Sequence, residues 1–320
     1  ASVVQLGLHG HALLPGQRLA RDTETPVHEF LRRRAAADPH GGFTIARAGQ
    51  PATAPTMLPP GQLMARGLRD LNFYNHGDGR SIEPLRALLG NAWSQLGRSY
   101  LTKILPPDRL GHPLFDLLGV RYVLSTQPLA QAGVRVGPSI RGPGGGEFYV
   151  YERATALPRA YTVSALRRCG GDEGVLTAMI DPATRYDDLA LVAWAERDEP
   201  PPSPSPPREV RFLQDDPTVV ELDIAAGARE HLVLTDTWFP GWRATIDGAP
   251  AVIERCNHSM RLVRLPNTAC RVRFEFHSVL VPWGVALGLS GLLGLLLAVV
   301  LASRRRPTSS GVTSRDETAG

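Results

Sequence analysis

One short stretch of the chain brings aromatic, acidic and basic side chains together at a turn, and it is the stretch best suited to binding. Residues 236–243 read DTWFPGWR, with an aspartate at the start and Arg243 at the end. Trp238 and Trp242 lie on either side of a Pro-Gly pair. Aromatic faces beside polar groups can stack on a sugar ring or rest at lipid headgroups. The same rings can also fill a sheet core or staple the turn, so both a binding role and a packing role stay open.

Residue patterns that carry catalysis or bind metal do not stand out elsewhere. The cysteines, Cys169, Cys256 and Cys270, contain no C-x-x-C pair and are too few for a four-cysteine zinc site. An oxidising compartment would permit a disulfide between Cys256 and Cys270, but two buried thiols without a disulfide are the favoured interpretation. The chain has neither a G-x-S-x-G elbow nor an H-E-x-x-H motif. The sequence therefore predicts no catalytic residue, no metal site and no cofactor in this chain.

The charge of the chain argues against a nucleic-acid partner. The formal net charge is +4 over 320 residues. Nucleic-acid binding needs a basic patch or stripe, and this charge is spread too thinly to indicate one. A mixed, solvated surface is the interpretation that the charges favour.

The strongest single feature is an uncharged apolar run over residues 279–302. A helix needs about 20 apolar residues to cross the hydrocarbon core of a bilayer. Arginines at 304, 305 and 306 follow at once, so the positive-inside rule places the tail, residues 303–320, in the cytoplasm and residues 1–278 outside. The alternative is a core helix at the end of a soluble protein. We expect one transmembrane helix, which contacts membrane lipid and could pack on other helices through its glycines.

No signal peptide is visible at the start of the chain. A segment that crosses the membrane needs such a signal or earlier membrane helices. We therefore expect either that a signal peptide has been removed or that the chain is the end of a longer membrane protein.

A proline-rich segment, residues 198–208, divides the part that precedes the apolar run. Such composition favours an extended spacer. Residues 1–197 predict a mixed α/β region, and residues 209–278 predict a small antiparallel β-sandwich with an Asp247-Gly248 turn. The predicted fold class is therefore α+β, followed by a transmembrane helix. Helices are predicted at 26–37, 81–89, 113–118 and 172–180, and strands at 43–46, 120–125, 147–152, 157–163, 210–214, 219–225, 231–237, 242–246, 251–254, 260–265 and 271–276.

Several stretches resemble, in the same order, the C-terminal end of the YfhO family of bacterial multi-pass membrane proteins. They are GLRDLNFYN at 67–75, LFDLLGVRYVLS at 114–125, FYVYERATALPRAYTV at 148–163, LVLTDTWFPGWRATIDGAPAVIERCNHSMRLVRLP at 232–266 and RVRFEFHS at 271–278. The resemblance thus spans most of the chain.

The resemblance implies a glycosyltransferase of the GT-C type that uses a polyprenyl-phosphate sugar at the outer face of the bacterial cytoplasmic membrane. The catalytic carboxylate, with a divalent metal as an optional cofactor, would lie in upstream transmembrane parts of the same protein. This chain would then be the non-catalytic outer domain and last helix, which covers the active site or selects a cell-envelope glycan acceptor.

The resemblance also suggests which residues contact substrate. The candidates are Asp70, Tyr74, Asn75, Trp238, Trp242 and Arg243. For Asp70, a role at a turn or helix end is the alternative. The competing function is a non-enzymatic, single-pass surface module that binds envelope glycan or a partner protein.

Overall fold

Five helices form where proline, acidic first turns or apolar periodicity favour them. The computed structural model describes residues 25–49, 63–71, 79–95, 105–130, 134–136, 139–141, 146–194, 205–278 and 281–304. Its contacts group residues 1–275 as one unit and Phe276–Gly320 as a second. The helices are α1 (Pro26–Ala36), α2 (Glu83–Gln95), α3 (Pro113–Leu117), α4 (Asp172–Met179) and α5 (Val281–Arg304), with short 3₁₀ turns at Met64–Arg66, Gly79–Ser81 and Pro107–Arg109.

The helix boundaries follow local chemistry. Pro26 and Pro113 begin α1 and α3, because a missing N–H costs little in a first turn. The helix predicted to end near residue 89 continues as α2, but Gly90 has φ of 49° and interrupts its helical geometry. Only glycine adopts that backbone readily, so α2 is kinked there.

Strands β1 to β17 make three sheets. They are β1 (Thr44–Arg47), β2 (Arg69–Asp70), β3 (Val120–Ser125), β4 (Val134–Arg135), β5 (Ile140–Arg141), β6 (Glu147–Glu152), β7 (Ala160–Val163), β8 (Ala165–Arg168), β9 (Leu189–Val192), β10 (Val210–Asp216), β11 (Val219–Ile224), β12 (His231–Thr237), β13 (Trp242–Ile246), β14 (Ala249–Ala251), β15 (Glu254–Cys256), β16 (Met260–Arg264) and β17 (Cys270–Phe276). The strand orders are β2-β1-β3-β6-β4 with β5 on β6, then β10-β11-β17-β13-β14, then β7-β12-β16-β15-β9-β8.

The first sheet is buried on both faces. In β3, Tyr122 and Leu124 pack with α1, whereas Val123 packs on the opposite face with residues of α2 and α3. β1 runs parallel to both β2 and β3, while β6 is antiparallel to β3. Because β2 is the edge strand, its residues Arg69 and Asp70 lie at the border of this sheet.

The second and third sheets pack face to face and form the predicted sandwich-like arrangement. One hydrophobic core joins Leu222 and Phe274 of the second sheet to Leu232 and Val263 of the third. The other face of the third sheet is buried under α4, with Val233 and other side chains in a separate core. The prediction of a mixed α+β fold with an antiparallel, sandwich-like part is therefore confirmed.

The proline-rich segment lies between β9 of the third sheet and β10 of the second, yet strands from both sides of it share the third sheet. β7 pairs with β12, and β9 pairs with β15, although β7 and β9 precede residues 198–208 and their partners follow them. Residues 209–278 are therefore completed by strands from the mixed α/β region. The sheet needs this strand addition because β12 would otherwise present an unpaired edge.

Helix α5 coincides with the predicted anchor. Apolar side chains along it are exposed, among them Leu287, Leu293 and Leu297. Among the described residues, no helix meets the combined length and apolarity needed to cross a membrane. The transmembrane helix at 279–302 stays a prediction.

Candidate functional site

A cavity of about 610 Å³ lies where the border of the first sheet meets the sandwich. Its lining includes residues of β2, α2, β12, β13 and β16. Exposed residues such as Met64 and Asp216 share the lining with the buried Met260, so the cavity opens to solvent. The volume falls within the range of about 300–1,000 Å³ that is usual for ligand sites. Because Arg69, Arg159 and Arg261 all line it, we call it the arginine cavity.

Asp236 organises two of these arginines. Arg159 donates from Nε to Asp236 Oδ1 at 2.9 Å and from Nη2 to Oδ2 at 2.7 Å. Arg69 Nη2 donates to Oδ1 at 3.0 Å. On its other side, Arg159 Nη1 lies 2.6 Å from Asp215 Oδ2. This network ties β2, β10 and β12 together at the wall of the cavity.

The network keeps Asp236 ionised. Burial alone would raise the pKa of its carboxyl, but the hydrogen bonds and charge of Arg159, with the charges of Arg69 and Arg261, hold that pKa well below its usual range. Burial would lower the pKa of Arg159, and its bonds to Asp236 and Asp215 raise it above its ordinary value instead. Asp236 and Arg159 are therefore a charged pair at every physiological pH.

Arg261 is the third arginine of the cavity, and its partners differ. The residue is 3% exposed, and its Nε and Nη2 donate to the carbonyl oxygen of Thr237 at 3.2 and 3.1 Å. The guanidinium carbon lies 3.6 Å from the centroid of the Trp242 ring, a cation–π contact. Among the described residues, its Nη1 has no hydrogen-bond partner. Burial, together with the nearby charges of Arg159 and Arg69, lowers the pKa of Arg261 to about 10 despite the attraction of Asp236.

The sequence left open whether the aromatic residues pack or bind, and Trp242 is placed to do both. Its ring packs against the core of the sandwich and carries the guanidinium of Arg261. It also lines the cavity. The next residue, Arg243, is exposed and points to the other side of β13, because strand side chains alternate. Trp238 is half-buried, and its backbone N–H donates to the carbonyl oxygen of Ser259 at 2.6 Å. Its side chain does not line the cavity.

Asp70 is a structural residue of the cavity wall. Its two carboxylate oxygens accept from Nη1 and Nη2 of Arg47 at 2.7 and 2.8 Å, and both side chains are buried. A buried carboxylate that is paired in this way is a structural group, because loss of either partner destabilises the fold. It lies on strand β2 and not at the turn or helix end that the sequence suggested. Tyr74 and Asn75 lie outside the described residues.

The arginines of the cavity are the residues that sequence reasoning missed. Arg69 and Asp236 are 167 positions apart, and Arg159 and Asp236 are 77 apart. One feature of the sequence could have found such an arginine: a charged residue within an otherwise apolar strand. Arg261, in the strand MRLVR, is an example. That pattern marks a residue that needs a partner but does not identify the partner.

The residues of the cavity could bind a ligand, but the described residues contain no metal site. None of them form a group of three or more His, Cys, Asp or Glu arranged to hold a metal ion. Cys256 and Cys270 form no disulfide and are both buried. They lie on β15 and β17, in different sheets and different cores.

Comparison of this chain with known protein families, characterised proteins and solved structures finds no match. The function is therefore inferred from its residues and from the geometry of the cavity.

Proposed function

We propose that this chain is the extracytoplasmic C-terminal domain and last membrane helix of a glycosyltransferase-like membrane protein of the GT-C type, which uses a polyprenyl-phosphate sugar. In this proposal the arginine cavity covers the membrane-embedded active site or selects the glycan acceptor. The observation that carries the proposal is the composition of the cavity, in which Trp242 and apolar side chains lie beside buried arginines. Sugars offer an apolar face and hydroxyls, and lipid-linked sugars add phosphate, so such a lining suits them.

In this proposal some residues of the cavity shape its wall and others contact the ligand. Arg159 and Arg69 are engaged by Asp236, and Asp70 is engaged by Arg47, so these groups shape the wall. We assign ligand contact to Arg261 and Trp242, which line the cavity next to each other. The bond-forming step would be attack of an acceptor hydroxyl on the anomeric carbon, with a carboxylate outside this chain as base. The metal that the YfhO resemblance allows finds no ligand cluster among the described residues, so no step in this chain is assigned to it.

The membrane placement is part of the same proposal. The exposed leucines of α5 would contact lipid, and the arginines after it would stay in the cytoplasm. The domain formed by residues 25–275 would then lie outside the bacterial cytoplasmic membrane, where lipid-linked sugars are used.

A single-pass surface module that binds envelope glycan without catalysis is the second candidate. It is favoured by the same cavity, because the carboxylates Asp70, Asp215 and Asp236 of its lining are each paired with an arginine. The two candidates differ in whether sugar transfer depends on the cavity.

Membranes that carry the complete coding region would test the proposal through transfer of a radiolabelled sugar from a polyprenyl-phosphate donor. Trp242→Ala should leave membrane insertion intact and reduce transfer by about fivefold or more, because truncation of an aromatic side chain that anchors a ligand typically costs more than about 1 kcal/mol. Arg243→Ala, at the exposed neighbour on the other side of β13, should transfer like the parent.

Unchanged transfer by a folded Trp242→Ala protein would remove the cavity from the reaction. A complete coding region without further transmembrane helices, and without transfer activity, would leave the surface-module function instead.

A further inference from the structure

The Nη1 group of Arg261 is a buried donor that the fold does not satisfy. Within the described residues, Arg261 forms no ion pair, and its hydrogen bonds go to one neutral acceptor, the carbonyl of Thr237. A buried donor left without a partner costs about 1–3 kcal/mol, and more when the group is charged. A native protein tolerates such a cost where water, an ion or a ligand supplies the missing acceptor.

The position of this donor makes a ligand the natural acceptor. Arg261 lines the arginine cavity together with Trp242, Ser259 and Thr237. The ring of Trp242 holds the guanidinium plane from one side, and the Thr237 carbonyl fixes Nε and Nη2. The donor is therefore held in place before any ligand arrives, which lowers the entropy cost of binding.

Charge distribution shows which kind of acceptor fits. Asp236 is the half-buried carboxylate to which two of these arginines bind, and Arg159 and Arg69 already occupy both of its oxygens. Asp215 pairs with Arg159 from an exposed position. Arg261 thus carries a positive charge with no anion of its own, and an anionic oxygen would complete it better than a neutral hydroxyl.

We infer that the arginine cavity contains an oxyanion subsite, in which Arg261 Nη1 binds a phosphate or carboxylate carried by a sugar. The Ser259 hydroxyl is the neighbouring polar group of the lining that could add a second hydrogen bond. The sugar itself would occupy the part of the cavity lined by apolar side chains such as Leu71 and Leu85. This inference rests on the cavity being the ligand site of the proposed function, but it does not require that the ligand take part in transfer.

Titration calorimetry on the full chain in nonionic detergent would test the subsite with three probes: glucose 1-phosphate, glucuronate and glucose. We expect at least one anionic probe to bind about tenfold or more tightly than glucose, since a hydrogen bond to a charged group is worth about 1.5–3 kcal/mol. The preference should weaken at high salt. Stronger binding of glucose 1-phosphate would identify phosphate as the ligand group, and stronger binding of glucuronate would identify carboxylate.

Variants locate the contact. Arg261→Gln should abolish the preference for the anionic probe, while Arg243→Gln, which removes an exposed arginine from β13 of the facing sheet, should keep it. Circular dichroism and thermal unfolding would establish that both variants are folded. If Arg261→Gln does not fold, the comparison of charged and neutral probes on the parent protein decides the question alone.

Equal affinity for charged and neutral sugars would overturn the subsite and leave the proposed glycan-binding function standing. Retention of the anion preference in a folded Arg261→Gln protein would also overturn it. No binding of any probe would overturn both the subsite and the role of the cavity in the proposed function.

Discussion

At the scale of single residues, the protein buries several arginines and gives each a different kind of partner. Arg47 pairs with one carboxylate, Asp70, in a two-bond geometry. Arg159 lies between two carboxylates, and Arg261 lies on an aromatic ring. A buried guanidinium is tolerated only when its charge and donors are compensated, so each arginine depends on residues far away in the sequence.

Asp236→Asn tests the charged network of the cavity. The neutral amide leaves Arg159 and Arg69 without their anion, and we expect the free energy of unfolding to fall by about 3–5 kcal/mol at neutral pH, the usual cost of breaking a buried pair. Urea denaturation would measure it. Asp223→Asn, which changes an exposed carboxylate, should stay within about 0.5 kcal/mol of the parent.

We also expect the effect of Asp236→Asn on the free energy of unfolding to depend on pH. Because the folded pKa of Asp236 is depressed, its stabilisation is fully present above the unfolded value of about 3.9 and is lost as the pH falls toward the folded pKa. The difference in unfolding free energy between the parent and Asp236→Asn should therefore shrink as the pH falls below about 4. A difference that stays constant in acid would contradict the pairing.

Thiol counting tests the state of the cysteines. Burial raises the pKa of both the Cys256 and Cys270 thiols, so neither should react with a thiol reagent in the native protein. After unfolding without reductant, all three cysteines should react. Reaction of Cys169 alone under those conditions would mean that Cys256 and Cys270 form a disulfide.

At the scale of elements, a single arginine anchors the end of the proline-rich segment to two loops, one between β11 and β12 and one between β16 and β17. Arg208 donates to the carbonyls of Ala225, Arg229, Pro266 and Thr268 at 2.5–3.2 Å. Its own N–H donates to Thr162 Oγ1 at 2.9 Å. These bonds hold the chain entering β10 against β7, which explains how strands on either side of the segment share a sheet.

Arg208→Ala should therefore lower the free energy of unfolding by about 2–4 kcal/mol, because four carbonyl oxygens would lose the donors of a buried guanidinium. Chemical denaturation would measure the change. Arg211→Ala removes an exposed arginine of β10, three residues further along the chain, and is the matched control, with an expected effect within about 0.5 kcal/mol.

Gly227 gives an independent check of the same anchor. A Cβ at this position would lie 2.7 Å from Cγ of Arg208, so Gly227→Ala should destabilise the parent. The substitution should cost much less in the Arg208→Ala background, where the clash is gone. Additive effects of the two substitutions would contradict a shared site.

At the scale of the whole molecule, the first unit has cores on both faces of two sheets, whereas α5 is a helix with exposed leucines. Contiguous exposed apolar surface of that kind marks a contact with lipid or protein. The membrane interpretation is the one that the flanking arginines favour.

The full chain should stay with bacterial membranes after an alkaline carbonate wash. Leu289→Arg with Leu293→Arg places two charges in the predicted span, at about 2.5–3.5 kcal/mol each, and should release the protein into the wash. Leu213→Arg, which charges a leucine that is 51% exposed in β10, should leave the protein in the membrane. Retention of the double variant would contradict a membrane-spanning α5.

Much of the element structure was predictable from local patterns. The Asp247-Gly248 pair predicted a tight turn, and the structure has positive φ at both residues between β13 and β14. The sequence also predicted strands at 231–237 and 260–265, and these are β12 and β16. By contrast, the short strand β8 and the split between β14 and β15 were not predicted, since their pairing is decided by neighbours far along the chain.

The sequence by itself determined the α+β class, most strands, the aromatic turn and the apolar run near the end, because these depend on nearest neighbours and on side-chain type. Only the tertiary structure decided that β7 and β9 complete the sandwich and that Arg69, Arg159 and Arg261 meet at one cavity. Those contacts join residues up to 167 positions apart, and a buried charge does not reveal in sequence which partner neutralises it. The arginine cavity exists only once the sheets have packed.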